Sequence, residues 1–185
     1  SSWLLALVVL LGAAAGGRAQ LGVSDPEVAK AVNACHKATT AAVASYTAAT
    51  YKSFKTCADA LYACAELKPV DAACVPKAST KCQKEATKRS SLDAKLIAAI
   101  DKRCNVDTLP FSTLRAPEGA NLALLDGDCS RLSVGAVADA GSFELCVLRG
   151  ARCRVEEALA FAMPRAEDLL ALAGLPLASD FCPHP

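Results

Sequence analysis

The side chains in this chain best suited to chemistry are its ten cysteines: Cys35, Cys57, Cys64, Cys74, Cys82, Cys104, Cys129, Cys146, Cys153 and Cys182. Thiols in such number can ligate metal, cycle between redox states or pair as disulfides. Zinc sites draw on CxxC clusters and histidines, whereas no CxxC occurs here and the histidines are two, His36 and His184. Cys35-His36 lacks the CxxCH of haem attachment. An even cysteine count in an exported chain of this size reads instead as a disulfide framework.

Other catalytic signatures are missing. There is no GxSxG, no HExxH and no phosphate-binding glycine loop. His184 stands one residue from the end of the sequence, a poor place for a catalytic base. The acidic pairs Glu156-Glu157 and Glu167-Asp168 are sequence neighbours on helical segments; they point in different directions and read as solvated face. No enzyme, cofactor or metal site is expected.

Export is read from the N-terminus. Trp3 to Leu11 is an unbroken apolar run, followed by small residues and Gly17-Arg18-Ala19. That is a signal peptide over residues 1–19, cut before Gln20. The run is too short to span a bilayer, which takes about 20 residues, so no transmembrane segment is expected. Ser1 is preceded by neither Met nor a basic n-region, so further residues are expected before it. All ten cysteines lie after the cut, and the expected location is secreted or periplasmic.

The elements that must position the cysteines are helical. Hydrophobic residues make up 53% of the chain, but many are alanine, and aromatics number only five Phe, three Tyr and one Trp. Alanine favours helix while burying little area, so the core is thin and disulfides would compensate. Asp25-Pro26 is a helix start, with Asp25 as N-cap and Pro26 at N1. From Val28 to Leu67 there is neither Pro nor Gly, and apolar residues recur three and four apart until Lys68-Pro69 closes the helix. Pro76 is expected to open a second helix running to about Cys104, and Ser90-Ser91-Leu92-Asp93 offers a fresh N-cap that would interrupt it.

Cysteine spacing then specifies how these helices pair. Cys35 to Cys57 and Cys82 to Cys104 are each 22 residues apart, close to six turns, so each pair shares a helix face. In an antiparallel hairpin, facing positions have a constant sum. Cys64 and Cys74 sum to 138, while Cys57 with Cys82 and Cys35 with Cys104 both sum to 139. The spacing predicts a three-rung ladder, Cys64–Cys74, Cys57–Cys82 and Cys35–Cys104, each bridge contributing about 2–4 kcal/mol. Slim Ala and Thr side chains between the cysteines permit the close approach a disulfide needs. The expected fold is all-α: a long disulfide-stapled antiparallel hairpin, coiled-coil-like, over 20–108, followed by a smaller helical segment.

Composition changes beyond Cys104. From Gln20 to Cys104 there are 13 Lys and Arg against 8 Asp and Glu; from Asn105 to Pro185 there are 6 against 11. Opposite net charge suggests that the halves dock. Residues 109–128, with Pro110, Pro117, Gly119 and Gly127, read as a connector holding at most a short turn at Asn121 to Leu125. Residues 129–185 form a disulfide-tied helical segment from about Ser142, broken at Pro164 and restarted to Ala173 before Gly174. Cys146 and Cys153 are about 10.5 Å apart along one face and cannot bond each other. Their partners are Cys129 and Cys182, in either of two connectivities.

Two surface features invite binding readings. Lys77, Lys81, Lys84 and Lys88 form a stripe, with Arg89, Lys95, Lys102 and Arg103 adding charge. The stripe suits an envelope or extracellular anionic polymer, or another protein; the alternative is a solvated face opposite the cysteine seam. The absence of aromatic platforms on this helix disfavours nucleic acid. Tyr46, Tyr51, Phe54 and Tyr62, with Leu169, Leu170 and Leu172, would line a lipid-sized groove or simply pack in the core.

The segments SFKTCADALYAC, KCQKEATKRSS, ELCVLRGARCRVEEALAF and MPRAEDLLALAGL give the chain a resemblance to a group of uncharacterised, Cys-rich exported bacterial proteins with a Lys- and Ala-rich helical hairpin. The resemblance covers most of the mature chain and rests on spacing; it implies no activity. The expectation is an exported, non-enzymatic structural or interaction protein, a rigid helical scaffold. The alternative is a carrier of small apolar ligands in a groove between the helical halves.

Overall fold

The computed structural model describes residues 22–177 and 179–182; the expected signal peptide and His184 lie outside them. All regular structure among the described residues is helical: α1 (Pro26–Leu67), α2 (Cys74–Cys104), α3 (Phe111–Arg115), a 3₁₀ turn (Leu122–Leu125), α4 (Asp126–Arg131), α5 (Ala140–Ala162) and α6 (Ala166–Ala171). Helices α1 and α2 form the hairpin, and α5 and α6 lie along one side of it.

The first helix starts where its capping chemistry demands. Asp25 Oδ1 accepts the backbone N–H groups of Glu27 at 2.8 Å and Val28 at 3.2 Å, and Pro26 occupies N1. It ends at Leu67, because the residue before Pro69 is pushed out of the helical region. Helix α2 begins at Cys74, two residues before the expected Pro76. Pro76 sits inside the first turn, where backbone N–H groups have no intrahelical partner, so its missing donor is harmless. Nor is α2 interrupted at Ser90-Ser91. Ser90 Oγ donates back to the Ala86 carbonyl, and the Asp93 carboxylate is engaged by α5 instead of capping a new helix.

The connector is more structured than expected. Leu109, Leu114 and Leu122 are buried and anchor α3 and the 3₁₀ turn against the base of the hairpin. Arg115 Nη2 binds Asp126 Oδ2 at 2.9 Å, while Asp126 Oδ1 accepts the Val137 N–H at 2.8 Å. This exchange closes the segment and starts α4 at Asp126, so Gly127 lies within a first helical turn. Gly119 has a steric reason: a Cβ there would lie 1.8 Å from the Thr113 carbonyl oxygen.

Asp139 and Ser142 form a reciprocal capping box that opens α5. Met163-Pro164 ends α5, and α6 stops short of Gly174, whose φ of 67° suits a residue without Cβ. Two apolar clusters follow the long axis. One gathers Cys35, Tyr46, Leu96, Ile100 and Phe143 at the open end of the hairpin; the other gathers Phe54, Leu61, Val155, Leu159, Leu169 and Leu170 toward its tip.

Candidate functional site

The structure brings the cysteines of the hairpin together as Cys35–Cys104, Cys57–Cys82 and Cys64–Cys74, with Cα separations of 4.7, 4.8 and 5.5 Å. These are the pairs with matching position sums. The helices approach this closely because alanine and threonine flank the rungs. In the second half the bridges are Cys129–Cys146 and Cys153–Cys182, which resolves the two connectivities open from spacing. The first ties α4 to α5, and the second ties the chain end to α5. No free cysteine remains among the described residues.

Between the two cluster ends lies a polar layer that sequence patterning missed. Tyr46 Oη on α1 donates to Asp93 Oδ1 on α2 at 2.8 Å. Arg152 on α5 meets both Asp93 oxygens through Nη2, at 2.9 and 2.8 Å, and its Nε donates to Tyr46 Oη at 3.3 Å. One turn toward the tip, Arg89 lies over the Phe54 ring at 4.0 Å and donates to Ser53 Oγ at 3.3 Å. Arg89 is only 6% exposed, so it does not add surface charge beside the lysine stripe, contrary to the expectation from sequence.

Glu156 corrects a second expectation. It is 6% exposed, whereas its neighbour Glu157 faces solvent. Its carboxylate accepts the Ser179 N–H at 3.0 Å and the Ser179 Oγ–H at 2.6 Å, pinning the chain end beside the Cys153–Cys182 bridge. Phe181 adds a third tie by lying under the Arg149 guanidinium. A run of residues on α5 alone carries no sign of this burial, since the partners arrive from 23 residues downstream.

Burial raises the Glu156 carboxyl above its ordinary value against the pull of the Ser179 bonds, Arg152 and Arg89. Burial likewise raises the Tyr46 phenol, and lowers the Arg89 guanidinium. Tyr46, Asp93 and Arg152 are directed at one another and Arg89 at Ser53 and Phe54, whereas Thr50 Oγ1, buried on the same stretch of α1, has no hydrogen-bond partner among the described residues. Such a layer sets register between three helices.

The halves do dock, but not through their net charges. Among the described residues the ion pairs joining them are Arg152–Asp93 and Arg165–Glu66, each with its arginine from the acidic half and its carboxylate from the basic half. The lysines stay outside. Lys77, Lys81, Lys84 and Lys88 are all exposed on α2, as are Lys95 and Lys102 at the same helical spacing.

The aromatic and leucine set divides. Tyr46, Phe54, Leu169 and Leu170 are core residues, Tyr51 is half-buried, and Tyr62 and Leu172 are exposed. None of them lines either lobe of the trough found between the halves. That trough lies between α1 and the α4–α5 side. It has two lobes of about 450 and 440 Å³ that share Val43, Leu125 and Val147. One lobe is lined by Phe143, Leu122 and His36; the other includes the pairs Arg131–Asp128 and Arg154–Glu157 in its lining.

Neither a protein-family model, nor a curated protein, nor a solved structure matches this chain.

Proposed function

We propose that this chain is an exported, non-enzymatic structural or interaction protein of the periplasm or extracellular space, a rigid helical scaffold that presents its surface to a partner. The observation that carries the reading is the pairing of ten cysteines into five bridges, distributed along the molecule from Cys35–Cys104 to Cys64–Cys74 and on to the chain end at Cys182. Five bridges fit an oxidising compartment, and no described helix is long and apolar enough to cross a membrane. A polar layer that joins all three long helices adds rigidity.

The test is made on protein recovered from the exporting cell. Intact-mass measurement after alkylation without reductant should show no alkylated thiol, and the N-terminal residue should be Gln20. Recovery of cytosolic protein with alkylated cysteines and an uncut leader overturns the reading.

A second reading, carriage of small apolar ligands, is favoured by the two-lobed trough, whose volume lies in the range of ligand pockets at about 300–1,000 Å³. Native mass spectrometry of exported protein separates the two. A retained lipid-sized adduct, lost on Val147→Trp substitution, supports the carrier; bare protein supports the scaffold.

A further inference from the structure

One broad side of the hairpin is covered and the other is not. Asp93 on α2 is bound by Arg152 of α5, Gln83 donates to the Ala173 carbonyl just past α6, and on the same side of α2 the buried Arg89 lies against Phe54 of α1. At about 100° per residue the lysines Lys77, Lys81, Lys84, Lys88, Lys95 and Lys102 fall on the opposite side of α2, and all six are exposed. Among the described residues only Lys88 of the six stands in an ion pair, with Glu85 Oε2 at 3.6 Å. Most successive lysines are three or four residues apart. That is about 5–6 Å along the axis, within the screening length of about 8 Å, so their fields add.

The adjoining side of α1 is built of small residues. Stepping back from Leu67 by three and four gives the small residues Ala63, Ala60, Thr56 and Ala49, interrupted by one further exposed lysine, Lys52. At the tip this cationic side ends in exposed apolar residues: Leu67 is 76% and Val70 96% exposed, with Lys68 between them. Phe161, 90% exposed, belongs to the same end, since Arg165 just beyond it pairs with Glu66. The acids here are engaged: Glu66 with Arg165, and Asp71 with the Ala73 N–H.

We propose that this uncovered side lies on an anionic phospholipid bilayer, the α2 lysines over the headgroups and Leu67 and Val70 sunk into the interface at the tip. The proposal deepens the scaffold reading and rests on it, naming the surface that the scaffold meets. Charge complementarity selects an anionic partner. The apolar tip selects a bilayer over a soluble polyanion, which would neutralise the lysines yet leave Leu67 and Val70 in water.

The oxidised full chain is tested by co-sedimentation with vesicles of phosphatidylcholine alone or with phosphatidylglycerol added. Binding is expected only to the second, weakening as salt rises. Replacing Lys77, Lys81, Lys84 and Lys88 with Gln should reduce partitioning about a hundredfold or more. Leu67→Ser with Val70→Ser should reduce it about tenfold while leaving the salt dependence unchanged. All six positions are exposed, and unchanged melting curves verify that the variants fold. Absence of binding to anionic vesicles overturns the proposal. So does a tip variant that binds like wild type while a heparin column retains both; that outcome assigns the lysines to a polyanion and leaves the scaffold reading standing. Wild type that binds neither vesicle nor heparin removes the cationic side as an interaction surface altogether.

Discussion

Removing the bridge at the open end of the hairpin should cost more than removing the bridge at its tip. The perturbations are Cys35→Ala with Cys104→Ala, and separately Cys64→Ala with Cys74→Ala. Cys35 and Cys104 are 69 residues apart, but Cys57–Cys82 already shortens the path between them. The loop newly closed is the two 22-residue arms plus the crossing, and chain entropy assigns it about 4 kcal/mol at 25 °C. Cys64–Cys74 closes a separation of 10, worth about 3 kcal/mol on the same scale. Cys35 and Cys104 are also 2% and 1% exposed, so the two missing sulfurs leave unfilled space and widen the gap. In guanidinium titrations followed by circular dichroism, the first double variant should lose about 1 kcal/mol more than the second. For a domain of this size its Tm should fall by roughly 8–16 °C. Hydrogen exchange should accelerate around Cys35 and Cys104 before it does around Phe54 and Leu61. Equal losses, or a larger loss at the tip, would refute loop closure as the source of the stapling energy.

Further outcomes follow from the polar layer and the turns. Arg152→Met leaves the Asp93 carboxylate without its cation and should cost about 2–3 kcal/mol, tempered by side-chain exposures of 21% and 27%. The triple change Arg152→Met, Asp93→Leu and Tyr46→Phe should recover most of that loss in the same titration. Glu144 is buried with Oε1 unpartnered, and burial, then Asp101 and Asp139, raise its carboxyl above the ordinary 4.5. Its contribution to stability is therefore full below that value and lost as pH rises through the raised one. Glu144→Gln should raise Tm at neutral pH and change nothing in acid. Asp126 has the reverse sign: Arg115, then the Val137 N–H, hold it below the ordinary 3.8, so its contribution is present above that value and lost as pH falls through the depressed one. Asp126→Asn should destabilise at neutral pH, the deficit vanishing in acid; a pH-independent deficit would contradict the pairing. Gly119→Ala should lower stability by about 2 kcal/mol or more, since the new Cβ meets a backbone carbonyl that has no room to yield.

What the sequence alone determined about this protein is the helical hairpin and the level at which each cysteine of its arms sits. An α-helix has a fixed rise and turn, so residue number converts directly into height and direction along a rod. Two antiparallel rods then leave one self-consistent set of rungs, Cys35–Cys104, Cys57–Cys82 and Cys64–Cys74. That conversion fails once the chain leaves a continuous helix. Cys129 and Cys182 sit beyond turns whose geometry depends on packing, such as the Arg115–Asp126 exchange, so the choice of Cys146 and Cys153 as partners was made in three dimensions. The connector helices were hidden for the same reason: buried Leu109, Leu114 and Leu122 stabilise short turns that are too brief to hold alone.

Charge was the least legible quantity. Arg89 and Lys88 are sequence neighbours, as are Glu156 and Glu157, yet one member of each pair is buried and the other exposed. A residue step of about 100° separates a helix side that meets α5 from one that meets water. Only the docked third helix says which side is which. The tertiary structure thereby moved Arg89 and Glu156 into the interior, and left the remaining α2 lysines as an uninterrupted cationic side ending at Leu67 and Val70.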